Sequence, residues 1–127
     1  RTLERMLGAV RLATGGPAAQ LRAVLRAHVH SMLDEMEGSV AHLDVEALPG
    51  DMRARMIARR DDYERALRAL VAGGMAAGEF ARGDAALVTR AMLGALNWTA
   101  RWYRPDGERS VDEIADGLAD YLVKGLA

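Results

Sequence analysis

Residues 84–104 are apolar around more of a helix than a surface helix requires, and this constrains the chain most. Nothing inside the stretch breaks a helix. Asp84 is suited to accept a backbone N–H bond in its first turn. Pro105 pushes the residue before it out of the helical region and predicts a stop at Arg104. One stripe runs Leu87, Ala91, Gly94, Trp98, Trp102, and a second runs Val88, Met92, Ala95, Thr99, Tyr103. Together they exceed the stripe of roughly 100° that a surface helix buries. Only Thr89, Arg90, Asn97, Arg101 and Arg104 are plainly polar. Such a helix needs cover on two sides. In a chain of 127 residues the second side is expected to be another molecule, and the alternative is the central core helix of a monomer.

The other elements follow in order. Leu3, Met6, Leu7 and Val10 recur at helical spacing, and Thr14-Gly-Gly-Pro17 closes that helix. Pro17 suits the first turn of the next one, where its missing N–H costs nothing. Leu21, Leu25, His28, Met32 and Met36 form its apolar stripe, flanked by Val24, Val29 and Leu33, and Gly38 is a plausible stop. Val40 to Leu48 is apolar but short for a long helix, and Pro49-Gly50 reads as a turn. Asp51 is expected to cap a long helix whose apolar face is Met52, Met56, Tyr63, Leu67, Leu70 and Val71. Its charged face mixes arginines with Asp61, Asp62 and Glu64 and reads as solvated surface. Gly73-Gly74 predicts a kink or a close helix approach, Gly78 a stop, and Phe80 a plug at the following corner. Ser110 and Glu113 form a capping box. Val111, Ile114, Ala115, Leu118, Tyr121, Leu122 and Gly125 mark the last helix, antiparallel to its predecessor across a short connector. The fold class is therefore all-α, with five to six helices, no strand and one domain over residues 1–127.

Composition narrows the function. A formal net charge of −1 argues against a nucleic-acid interface on this chain. The absence of cysteine removes disulfides and thiolate chemistry. No apolar run approaches the roughly 20 residues of a membrane span. No cysteine nucleophile, phosphate loop, His-Glu metal motif or nucleophile elbow occurs, so an enzyme is disfavoured and neither cofactor nor metal is expected. Arg82-Gly83-Asp84 spells an adhesion tripeptide, but Asp84 already has a capping role. His28 and His30 lie on different helix faces and cannot share a metal. His28 on the apolar stripe reads as a hydrogen-bonded core histidine or as a polar anchor in a ligand cavity. A metal site is the weakest reading, because no ligand stands at i+4 from His28. Methionines on apolar faces suit a ligand of variable shape, or an ordinary methionine-rich core.

Gly74-Met-Ala-Ala-Gly-Glu-Phe80, Asp84, the run from Gly94 to Pro105 with its Asn-Trp and Trp-Tyr pairs, Ser110 to Ala115 and Gly125-Leu126 resemble the C-terminal regulatory domain of TetR-family transcriptional repressors. The Asn97–Pro105 run is similar to a branch that represses fatty-acid and cholesterol breakdown and answers to acyl-CoA thioesters. The resemblance covers residues 74–126. It implies a cytoplasmic homodimer whose last two helices pair with their two-fold mates in a four-helix bundle. It also implies a hydrophobic effector pocket and release of operator DNA by an N-terminal helix-turn-helix domain. Nothing here resembles that domain, so the chain is expected to be the ligand-binding and dimerisation half alone. The first helix would correspond to the link between the halves. Expected pocket residues are Leu25, His28, Val29, Met32, Met36, Met56, Tyr63, Leu67 and Met92. Expected interface residues are Leu87, Ala91, Gly94, Trp98, Trp102, Ile114, Leu118 and Tyr121, with Trp98 suited to either role. The rival is a structural dimerisation module with a filled core and no ligand.

Overall fold

The computed structural model describes residues 2–38 and 49–127 and contains five helices and no strand among them. They are α1 (Thr2–Leu12), α2 (Pro17–Gly38), α3 (Gly50–Ala76), α4 (Ala85–Trp102) and α5 (Val111–Leu126). The apolar stretch Val40 to Leu48 lies outside the described residues. Helix α2 touches all four others and forms the centre of the molecule. Leu21, Val24, Leu25, Val29 and Leu33 are fully buried along it, which needs cover on several sides at once.

The caps agree with the sequence except at one position. Asp84 accepts from Ala86 N and Leu87 N, and Ser110 and Glu113 make both bonds of their box. Asp51, however, caps nothing: α3 begins one residue earlier at Gly50, after Pro49, with no side-chain cap. Asp51 instead sits in the first turn, where a carboxylate favours the positive end of the helix dipole. Helix α2 has no acid of its own in that place. It is supplied from a distance: Glu79 Oε1 accepts the Ala18 N–H at 3.2 Å.

Helix α4 ends at Trp102, two residues before the expected stop. Tyr103 is extended (φ −65°, ψ 136°), and its N–H bonds Thr99 O. Its ring is buried, so inward packing ends the helix before Pro105 must. The inner face of α4 carries Thr89, Met92, Leu96 and Thr99. Thr89 was expected on the polar side but is fully buried, its hydroxyl donating to Ala85 O at 2.7 Å. That local bond satisfies the hydroxyl and lets a threonine stand in a core. Ala95, on the second apolar stripe with Met92 and Thr99, is exposed.

One corner joins four helices. Phe80 is buried on Gly74, where an added Cβ would collide with the ring. The N–H groups of Glu79 and Phe80 bond Gly74 O, and Ala81 N bonds Leu126 O at the end of α5. Gly78 enters the corner at φ +79°, a conformation that favours glycine.

Helices α2 and α5 are held by an ion-pair ladder. Arg22 meets Asp120, Arg26 meets Asp116 and Asp112, and His30 Nε2 lies 2.9 Å from Asp112 Oδ1 without hydrogen-bond alignment. Residue numbers rise on α2 as they fall on α5, so the two run antiparallel. The Arg22 hydrogen bond holds the Asp120 carboxyl below its ordinary range.

The glycine pair gives a matched test. Gly73→Ala meets nothing within 4 Å and should stabilise by about 0.5–1 kcal/mol through helix propensity. Gly74→Ala should destabilise by about 1–3 kcal/mol, because the core must overpack. Urea midpoints of the two variants against the parent measure both. Equal midpoints would show that Phe80 is not fixed on Gly74.

Candidate functional site

A polar chain crosses the apolar interior where α2, α3 and α4 meet. His28 is 3% exposed. Its Nδ1 lies 2.9 Å from the Tyr63 hydroxyl and its Nε2 2.9 Å from Asn97 Oδ1. The Asn97 carbonyl oxygen can only accept, which assigns the proton to Nε2. Nδ1 then accepts from Tyr63 O–H. Burial favours the neutral imidazole and lowers the His28 pKa, and the Asn97 bond offsets part of that shift. Burial likewise raises the Tyr63 pKa far above its ordinary value. The two rings are tilted, with centroids 5.4 Å apart. The centre is therefore uncharged at neutral pH, with both of its hydrogen bonds made internally. Of the two readings of His28, the geometry is that of the hydrogen-bonded core histidine, and its polar chain ends at the exposed residue Asn97.

Of the expected pocket residues, Leu25, Val29, Tyr63, Leu67 and Met92 belong to the buried core with Met32 packed against it. Leu25, Val29 and Leu67 are fully buried, and Tyr63 and Met92 are 3% exposed. Met32 and Met56 are half-buried. Nothing is described of the Met36 side chain. The site residue that sequence reasoning missed is Asn97. Its signal was a lone amide on a helix otherwise apolar on two faces. Open space lies elsewhere, in a groove of about 590 Å³ between α1 and α3 lined by Leu7, Val10, Arg55, Ala58, Arg59, Asp62 and Ala66. None of the expected pocket residues lines it.

The expected interface residues divide. Leu87 (65% exposed), Trp98 (60%), Trp102 (47%) and Tyr121 (73%) stand open. Ala91 and Gly94 continue the α4 stripe in the open, and Leu118 is half-buried. Arg101 lies over the Trp98 ring at 5.1 Å. Ile114 differs: it is 5% exposed and packs in the core of its own chain. It follows the capping box on the inner side of α5, where the core already covers it. Among the described residues no group of His, Asp and Glu is placed to hold a metal ion, and no helix is long and apolar enough to cross a membrane.

Among the described residues, five helices with a central α2, a polar centre and an open apolar face define an all-helical domain. Over residues 14–126 the sequence matches the tetracyclin repressor-like, C-terminal domain family, and the chain belongs to that family. It is thus the C-terminal regulatory domain of a TetR-family transcriptional regulator. It is similar to the TetR-family regulator PfmR from Thermus thermophilus, at 31% identity and a TM-score of 0.82, over 99% of this chain and 71% of that one. A TetR/AcrR-family regulator from Thermobifida fusca is 28% identical, with a TM-score of 0.82, over 99% of this chain and 67% of that one. SCO3833 from Streptomyces coelicolor is 26% identical, with a TM-score of 0.83, over 100% of this chain and 66% of that one. No curated protein matches the chain.

The lowered His28 pKa gives a pH dependence of known sign. In the unfolded chain the imidazole takes a proton near its ordinary value of 6.5, and in the folded chain it does so only at lower pH. Between those values the unfolded state binds more protons, so stability falls as pH drops below about 6.5. Denaturation free energies between about pH 7.5 and pH 5.5 should fall more steeply for the parent than for His28→Gln. Parallel profiles would assign the loss to other groups.

Proposed function

We propose that this chain is the effector-binding and dimerisation domain of a transcriptional repressor, and that it binds a hydrophobic small molecule, with an acyl-CoA thioester as the favoured class. Binding is coupled to release of operator DNA by the family's N-terminal DNA-binding domain. The observation that carries this reading is the His28–Tyr63–Asn97 chain. An apolar core gains nothing in stability from a histidine that an aliphatic side chain would not supply, whereas a ligand carbonyl or hydroxyl can exchange with its hydrogen bonds. Half-buried Met32, one turn from His28 and packed against the core, repacks at small cost, which suits entry of an acyl chain. AibR, a structural neighbour with a TM-score of 0.72 and 23% identity over 94% of this chain and 65% of its own, was solved with isovaleryl coenzyme A and operator DNA. That neighbour supports the ligand class, as does the Asn97–Pro105 resemblance to repressors of fatty-acid and cholesterol breakdown.

The homodimer forms through α4 and α5. Leu87, Ala91, Gly94, Trp98 and Trp102 make one exposed stripe, and Gly117, Tyr121 and Gly125 make another at four-residue spacing. Exposed apolar surface of this extent marks an interface, and a two-fold contact must be self-complementary. The second reading is a structural dimerisation module without a ligand, favoured by the filled packing at Leu25, Val29 and Leu67.

Thermal melts with isovaleryl-CoA, dodecanoyl-CoA, free fatty acids and sterols separate the two. A hundredfold excess over Kd stabilises by about 2.7 kcal/mol, which in a domain of this size raises Tm by roughly 10 °C. A saturable rise for a thioester is expected, and no rise across the panel would leave the structural module. Sedimentation of Trp98→Asp should show a monomer where the parent is a dimer. A persistent dimer would remove α4 from the interface.

A further inference from the structure

The Tyr63–His28–Asn97 chain can be satisfied in two ways. In the structure the Tyr63 hydroxyl donates to His28 Nδ1, and His28 Nε2 donates to Asn97 Oδ1. Tyr63 then has lone pairs left but no donor, and Asn97, which is exposed, turns its NH2 group outward. The second arrangement keeps both contacts and reverses every role. Nδ1 donates to the Tyr63 oxygen, Nε2 accepts from the Asn97 NH2, and Asn97 Oδ1 turns outward. The Tyr63 hydroxyl is then free to donate elsewhere. Nδ1 has gained one proton and Nε2 has lost one, both exchanged with water, so the ring stays neutral. Burial disfavours the charged forms of His28 and Tyr63, which leaves the two neutral arrangements.

Each end of the chain has a neighbour that distinguishes them. Arg101 lies one turn beyond Asn97 on the same face of α4. Its guanidinium lies over the Trp98 ring, 5.1 Å from the centroid. A guanidinium has only donors, and so has an outward NH2, so the first arrangement leaves Arg101 on the ring. An outward Oδ1 accepts from Arg101 and competes with the ring for it. At the inner end, no lysine or arginine is buried among the described residues. A carboxylate brought to Tyr63 would be buried without a cation, which is costly, whereas a carbonyl needs only one donor.

We propose that Tyr63 reads an uncharged carbonyl of the effector, and that this reading reverses the His28 tautomer and turns the Asn97 amide at the surface of α4. It rests on effector binding at the polar centre. The carbonyl takes the Tyr63 proton that Nδ1 accepted before. Nδ1 must then donate, Nε2 must accept, and Asn97 must supply its NH2. Half-buried Met32, packed against the core, yields room for the ligand. Arg101 and Trp98 receive the signal on the exposed stripe of α4, the face assigned to the second copy. Coupling requires an interaction that differs between two states, and here a donor becomes an acceptor at one surface position.

NMR of the chain with nitrogen-labelled histidine tests this, because protonated and bare ring nitrogens resonate far apart. The His28 signals are those lost in His28→Gln. The free chain should carry the proton on Nε2. Dodecanoyl-CoA and methyl decanoate should move it to Nδ1 and shift the Trp98 indole resonance, and decanoate should do neither. In Asn97→Leu, with its urea midpoint as the check on folding, the Trp98 shift should be lost. Tyr63→Phe should bind methyl decanoate about tenfold more weakly and hold the proton on Nε2. Binding of either ester with the proton still on Nε2 would overturn the relay while the effector reading stands. A Trp98 shift that persists in Asn97→Leu would overturn the path through Asn97. Reversal by methyl decanoate without binding of dodecanoyl-CoA would uphold the relay and overturn the thioester class. No binding by any of the three would overturn both.

Discussion

The structure depends on one helix having three different sides. Leu21, Val24, Leu25, Val29 and Leu33 of α2 are fully buried and give the core its longest row on one helix. His28 carries hydrogen bonds to α3 and α4. Arg22, Arg26 and His30 face the aspartates of α5. Apolar burial supplies the driving force and is not directional. The hydrogen bonds and charges are directional, and they distinguish the side meeting α4 from the side meeting α5. Removing α2 would leave α3, α4 and α5 with uncovered inner faces and no common neighbour.

Much of the fold was legible because periodicity and capping are local properties. The two stripes of α4, the Asp84 cap, the Ser110–Glu113 box and the Phe80 corner could each be read from a few adjacent residues. What was not legible depends on partners far along the chain. Glu79 caps α2 across 61 residues. Asp112, Asp116 and Asp120 of α5 meet arginines of α2 that lie about 90 residues earlier in the chain. Periodicity shows that a face is apolar but not what covers it, and so Ile114 was read with the outer stripe although it turns inward. Thr89 failed for a related reason: a hydroxyl that bonds its own helix is polar in sequence and apolar in effect.

The candidate site was legible in part. His28 stood out as polar on an apolar stripe, and Tyr63 lay on the face expected to meet it. Asn97 was visible only as an exception to the pattern of α4, and its use became clear once α2 and α4 were adjacent. The groove at α1 and α3 had no sequence signature, since it is formed by what two helices fail to fill. Its arginines were read as part of a neutralised surface, because the acids that balance them lie further along, at Asp61, Asp62 and Glu64.

The ladder between α2 and α5 repeats every four residues on both helices. Such a ladder is nearly indifferent to sliding by one turn, since Arg22 or Arg26 would meet another aspartate. Its charges therefore set which faces meet and which way the helices run, but not how far along each other they lie. That axial setting comes from contacts that do not repeat, namely the Ala81 N–Leu126 O bond at the far end and the seating of Ile114, Ala115 and Ala119 in the core. Helix α5 is thus oriented along its whole length but indexed at its end. The three-residue span from Glu79 to Ala81, which also holds the start of α2, acts as the reference point from which both helices are measured.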